Sequence, residues 1–223
     1  MHKLDRPEAG PPCLGNYSYP QDTWDVPRDP SREARLAWAE CKRCIREALR
    51  AVQGNFCAYC ESELWGDAHI EHFRRKNPNH FPELTFSWQN LFWSCQSQDH
   101  CGHFKDRPSA PGYAPDDLIK PDDEDPDLFF YLYSNGEIRL RHGLTADQQR
   151  RATATIKAFG LDDSGLTGER ASKVAKFRKR KAPDLDELMT WPERDRKQYL
   201  VDEIEVARNE SFSTTIRHFL ERL

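Results

Sequence analysis

Between residues 55 and 107 the chain carries four of its seven cysteines and five of its eight histidines. No other feature restricts the fold as strongly. Ligand-type side chains at that density either pack as buried free thiols or converge on a metal. Cys57-x2-Cys60 has the spacing of a zinc knuckle, in which two thiolates bite one tetrahedral ion from a tight turn. A second pair must close the site. Cys95 and Cys101 are the candidates, with His100 as an alternative to one thiolate.

The flanking sequence reads as ordinary secondary structure. Residues 1–28 are rich in Pro, Gly and polar residues and predict an extended or loosely ordered arm. Asp29-Pro30 has the chemistry of a helix start, with Asp as cap and Pro in the first turn. Ala34, Trp38, Cys41, Ile45, Leu49 and Val52 then form one apolar helical stripe that ends near Gly54. Cys41 and Cys44 lie on this helix, and core packing is the better reading for them. Cys13, in the arm, carries no signal.

After the ligand-rich segment, 108–127 is a Pro- and Asp-rich connection. Two strand-like runs, 128–133 and 137–141, flank Ser134-Asn135-Gly136, a strong hairpin signal. The remainder is helical in pattern: 145–159, 166–181, 185–189, 193–209 and 211–223. Thr145 reads as a cap and Gly160 as a stop.

No run approaches the roughly 18 apolar residues of a membrane helix, and the first residues lack the apolar stretch of a signal peptide. We expect a cytoplasmic protein without membrane contact. An odd number of cysteines in a reducing compartment argues against a disulfide framework.

His69-Ile70-Glu71-His72 is the second chemical element. In a strand, His69 and Glu71 would share one face and Ile70 and His72 the other. Phosphodiester hydrolysis needs a base for water, a cation to offset charge on the phosphorane, and stabilisation of the leaving oxygen. A His beside a carboxylate supplies the base and a hard-metal ligand together. Asn90, in Trp88-Gln89-Asn90-Leu91, offers an amide able to fix an imidazole tautomer. Arg74, Arg75 and Lys76 follow the motif directly and suit flanking phosphates. The net charge of −4 gives no global attraction to nucleic acid, so any basic surface must be local. A second basic stretch, Arg170 to Lys181, is a solvated helix face or a DNA track.

The order Cys-x2-Cys, Ile-Glu-His, Trp-x-Asn-Leu, Cys…Cys-x3-Lys resembles the HNH endonuclease superfamily. More narrowly, Cys57 to Glu61, His69 to Arg74 and Trp88 to Leu91 resemble the HNH subunit of Septu anti-phage systems, also found with some retrons. The resemblance implies an α+β fold: a zinc-stapled ββα-metal (His-Me finger) core with an N-terminal helix, a β-hairpin and a C-terminal helical region. The corresponding division is arm 1–28, nuclease core 29–143 and helical region 144–223. It further implies His72 as general base, Asn90 as its orienting group and Glu71 as ligand of a catalytic Mg2+ or Mn2+. Structural Zn2+ would sit on Cys57, Cys60, Cys95 and Cys101, and Lys105 would face phosphate. The family tends to have Pro before Lys after Phe-Arg, where this chain has Arg75. The triad's third residue usually follows the last cysteine; here that residue is Gly102, which leaves His103, an unidentified residue or water as the second ligand.

The implied activity is DNA hydrolysis by an effector subunit of a bacterial defence complex. Its partners would be an ABC/SMC-like ATPase and, in some systems, a reverse transcriptase with its multicopy single-stranded DNA. The competing readings are a non-catalytic zinc module for nucleic acid or protein, a stand-alone HNH restriction-type enzyme, and a zinc hydrolase of small molecules. The last needs an open zinc position, which four thiolates deny.

Overall fold

The computed structural model describes residues 1–25, 28–29, 31–66 and 68–223. The first long helix, α1 (Arg32–Gln53), buries the expected stripe: Trp38, Cys41, Ile45 and Leu49. Its cap differs from expectation. The Ser31 hydroxyl accepts from the Ala34 amide at 3.1 Å, while Asp29 accepts from Ser31 N one turn earlier. A side chain two residues further on reaches the third helical amide directly, so Ser31 takes the role. Pro30 lies outside the described residues.

The arm is tied down. It contains one 3-10 turn, Pro12–Asn16, and buries Met1, Leu4, Leu14 and Trp24. Arg6 pairs with Asp122 at 2.6 Å and donates to the Trp88 and Leu91 carbonyls. Its guanidinium lies over the Trp88 and Phe92 rings. The arm folds back along α1 and joins Cys13 to Cys41 in a disulfide. This corrects the expectation of reduced cysteines. Core packing still describes Cys41, which is buried, but its neighbour across the interface is a second sulfur.

Two antiparallel strands and a short helix follow. Strand β1 (Ala68–His72) pairs with β2 (Leu91–Cys95), from Ala68 opposite Cys95 to His72 opposite Leu91. Helix α2 (Cys101–Asp106) comes next. The hairpin β3 (Phe130–Leu132) and β4 (Ile138–Leu140) forms where Asn135-Gly136 predicts it. Gly136 has φ 84°, and a Cβ there would meet the Thr167 carbonyl oxygen at 1.9 Å. The turn thus needs glycine for its conformation and for its approach to the next helical layer.

Helix α3 (Ala146–Phe159) is closed by a Thr145/Gln148 capping box and by left-handed Gly160, as its sequence predicts. Helix α4 (Ser164–Glu187) runs unbroken through Pro183, correcting the expected break between 181 and 185. A 3-10 turn (Leu188–Thr190), α5 (Glu193–Ala207) and α6 (Ser213–Leu220) complete the chain.

The architecture is α+β. One core joins α1, the β1/β2 sheet, α3 and the start of α4 through Ile45, Leu49, Tyr59, Phe73, Phe92, Phe159 and Leu166. A smaller cluster, Phe177, Ala207, Ile216 and Leu220, packs α4, α5 and α6 together. No helix of the described residues is long and apolar enough to cross a membrane.

Candidate metal and acid–base site

Cys57, Cys60, Cys95 and Cys101 are buried, with their sulfurs all within 4.8 Å of one another. Cys57 and Cys60 sit on a turn closed by Glu61 N to Cys57 O and Cys57 N to Ser62 O. Cys95 ends β2, and Cys101 opens α2. The fit to zinc can be tested on distances. A tetrahedral ion with Zn–S bonds of about 2.3 Å places its sulfurs ~3.8 Å apart. Cys57 to Cys101 is 3.7 Å and Cys60 to Cys95 is 3.9 Å. His100 Nδ1 lies 3.2 Å from Cys101 Sγ, so the imidazole sits beside the sulfurs as a hydrogen-bonding neighbour. The four thiols fit a structural metal such as zinc.

Backbone strain concentrates around this cluster. Among the described residues, the non-glycine positions with positive φ are Glu61, Cys101 and Phe212. Two of these adjoin or belong to the thiol set, and Phe212 N donates to Glu61 O. Such conformations persist only where surrounding structure holds them. Glu61 is buried and gathers donors from both ends of the chain: the Met1 amine at 2.5 Å, Thr214 N at 2.9 Å, Thr214 Oγ1 at 2.7 Å and Ser213 Oγ at 3.2 Å. Burial disfavours its charge, but the Met1 amine and the His2 bond outweigh it and hold the carboxyl well below its usual range.

Strand alternation places the candidate acid–base residues as expected. His69 and Glu71 share one face, with His69 Nε2 3.2 Å from Glu71 Oε2. The other carboxylate oxygen, Oε1, meets the Lys105 ammonium at 2.9 Å. Burial opposes the charge on Glu71, yet Lys105 and His69 prevail and bring its pKa down to about 2. Gly102 explains how the carboxylate fits. A Cβ at that position would lie 2.4 Å from Oε2, so Glu71 occupies the space a side chain at 102 would fill.

His72 points to the opposite side and is 2% exposed. Burial, and then the nearby charge of Lys76, lower its pKa to about 3. It is therefore neutral at physiological pH. Its Nε2 lies 3.0 Å from the Thr85 carbonyl oxygen. That oxygen can only accept, so the proton sits on Nε2 and the lone pair on Nδ1. The Trp24 indole covers the ring edge-on at 4.5 Å.

Several expectations need correction. Asn90 makes no hydrogen bond to His72. Its Oδ1 accepts from Arg74 N at 2.7 Å, and its Nδ2 donates to the Arg74 and Leu84 carbonyls. It clamps the chain after β1 to the turn that carries Thr85, and Thr85 sets the imidazole tautomer. Lys105 does not face phosphate: it is fully buried, bonded to Glu71, the His72 carbonyl at 3.1 Å and Asp106. His103 Nε2 is engaged by Gln96 Oε1 at 2.6 Å, and its ring stacks on His69 at 4.0 Å.

Among the basic residues after the motif, Arg74 pairs with Asp116 and Arg75 with Asp106. Lys76 has no carboxylate partner among the described residues. In the later basic stretch, Arg170 is buried on the Leu161 carbonyl. Lys173 and Arg180 share Glu210, and Lys181 pairs with Glu203. Sequence reasoning missed Trp24, Thr85 and Glu61. Trp24 and Thr85 carry no local signal, and Glu61, though it ends the motif begun at Cys57, gives no sign of its partners, because each acts through a segment distant in sequence.

No protein-family model matches the chain. The chain is 27% identical over 142 residues to the "Retron Vc95 putative HNH endonuclease" of Vibrio cholerae serotype O1 biovar El Tor. The match covers 61% of this chain and 66% of that protein. It supports a relationship to an HNH endonuclease, one that its name places with a retron.

Proposed function

We propose that this protein is an HNH endonuclease that hydrolyses DNA phosphodiester bonds at a ββα-metal centre stapled by zinc. The observation that carries the reading is the pairing, on one strand, of a charged Glu71 with a neutral His72 whose lone pair is fixed on Nδ1 by Thr85. A neutral imidazole with a defined lone pair is the form able to take a proton from water. A bound Mg2+ or Mn2+ at Glu71 would supply Lewis-acid stabilisation of the phosphorane. Lys105 balances the buried Glu71 charge, and Lys76, without a carboxylate partner among the described residues, is the cation for a flanking phosphate.

By resemblance, the protein works as the effector of an anti-phage complex of Septu or retron type. An ABC/SMC-like ATPase and, in retrons, a reverse transcriptase with its single-stranded DNA would be its partners. The net charge of −4 accords with a grip on DNA lent partly by a partner. Rapid cleavage by the isolated protein would overturn that dependence.

The test is cleavage of plasmid DNA by the complex or the isolated chain with Mg2+ or Mn2+, against His72→Ala and Glu71→Gln. Both variants should lose cleavage while keeping zinc. Cleavage at the wild-type level by either would defeat the nuclease reading. The coverage of His72 by Trp24 favours a second reading, a zinc-stapled interaction module, which predicts wild-type phage protection by His72→Ala.

A further inference from the structure

Gly102 removes a side chain from the place where the HNH pattern puts its last ligand, and the structure shows what stands there. Glu71 Oε2 fills the space above the Gly102 Cα. Its sister oxygen is neutralised by Lys105. The remaining oxygen faces His69, whose ring sits on the same strand face. We propose that His69 is a direct ligand of the catalytic divalent ion, taking the place Gly102 leaves empty and binding the ion together with Glu71. This rests on the nuclease reading above.

Three observations carry it. First, the separation fits. An octahedral Mg2+ with donors at 2.0–2.1 Å, or a slightly larger Mn2+, sets adjacent ligands ~3 Å apart. His69 Nε2 and Glu71 Oε2 are 3.2 Å apart. Second, the His69 ring is held by that one polar contact. Its Nδ1 is buried without a hydrogen-bond partner, so the proton that the acceptor-only Glu71 carboxylate draws to Nε2 is held by no second group and can give way to a cation seated between the two. With the proton on Nδ1, the Nε2 lone pair is free for a cation. Third, the other candidate is engaged elsewhere. His103 Nε2 is bound to Gln96, and its ring forms a wall parallel to His69. The His69 side chain is 20% exposed, which leaves an open side where water and phosphate oxygens complete the shell.

A nitrogen donor also bears on ion choice. Magnesium prefers all-oxygen shells, whereas manganese accepts imidazole more readily and stands higher in the divalent affinity order. The site should therefore bind Mn2+ more tightly than Mg2+.

The experiment is Mn2+ titration of the zinc-loaded full chain, followed by loss of the free-ion EPR signal, with pulsed EPR to detect nitrogen coupling. Variants are His69→Gln, His69→Ala, His103→Ala and Glu71→Gln, each checked for zinc content and melting temperature. We expect both His69 variants and Glu71→Gln to weaken Mn2+ binding about tenfold or more, and His103→Ala to leave it near wild type. The nitrogen coupling should vanish in His69→Gln and persist in His103→Ala. Wild-type binding and coupling in a folded His69→Gln, with binding lost in Glu71→Gln, would overturn the role of His69 and leave the nuclease reading standing. Wild-type binding in Glu71→Gln, or none in the wild-type chain, would overturn both.

Discussion

The Trp24 indole stands edge-on to the His72 imidazole, ring centroids 4.5 Å apart and planes at 87°. The tryptophan comes from the N-terminal arm and the histidine from β1, so a distant segment dries the candidate base. Trp24→Ala should let water in and raise the His72 pKa from about 3 toward its ordinary 6.5. Imidazole proton shifts followed by NMR across a pH titration would measure this. Removal of so large a buried ring should also cost ~3–5 kcal/mol of stability. An unchanged pKa in a folded variant would mean that the indole is not what desolvates His72.

The same histidine predicts a pH dependence. Its folded pKa is depressed, so between about 3 and 6.5 the unfolded chain binds a proton that the native state does not. Stability is then full above the unfolded value and falls as pH drops toward the folded one, by about 1.4 kcal/mol per pH unit for one proton. Urea unfolding at pH 7 and pH 5 should show the loss. The difference between the two pH values should shrink in His72→Asn.

Lys105 is a buried cation between two carboxylates, and Lys105→Met would leave the buried Glu71 without its cation and Asp106 with Arg75 alone. Loss of one partner from a buried ion pair costs about 3–5 kcal/mol, against roughly 0.5 kcal/mol or less for Lys179→Ala on an exposed helix face. Burial works against the Glu71 charge while Lys105 and His69 favour it, so its folded pKa lies below the unfolded value. Its contribution is present above pH 4.5 and lost as pH falls through about 2. Lys105→Met should move that loss to higher pH. Thermal melts between pH 3 and pH 7 test both points.

Gly102→Ala should disturb the site from within. The new methyl would lie 2.4 Å from Glu71 Oε2, and overpacking of this kind costs ~1–3 kcal/mol. Mn2+ binding should weaken with it. Gly112→Ala is the control, since nothing lies within 4 Å of a Cβ there. Equal behaviour of the two variants would sink the packing argument. Gly102→Asn, which restores the HNH pattern, should disrupt this site rather than improve it.

What the chain disclosed in advance was short-range. Thr145, Gly160 and Asn135-Gly136 act within one turn, and each appears in its expected role. The Cys57/Cys60 pair is readable because two residues of spacing define a knuckle, and Cys95 and Cys101, five residues apart, enter as the second pair that must close it. The alternation of His69, Glu71 and His72 is a strand property and follows from the pleat. The failures concern contacts between distant segments. Nothing near Lys105 states that Glu71 will lie above it, and nothing near Cys13 names Cys41. Asn90 is expected to orient the His72 imidazole, but its partners are backbone groups of Arg74 and Leu84. An amide's hydrogen-bonding capacity is visible in sequence, whereas its neighbours are set by how the 85–90 turn packs.

Glu61 follows Cys60 directly, and its carboxylate holds Met1 at one end of the chain and Thr214 near the other. Metal occupancy, the order of the arm and the docking of α6 are therefore linked equilibria. Withdrawal of zinc with a strong chelator should loosen the turn that aims Glu61 and release both anchored segments in one step. The Thr214 amide, which donates to Glu61 from 153 residues away, becomes a gauge of zinc occupancy: its hydrogen exchange should accelerate on chelation and slow again when zinc is restored.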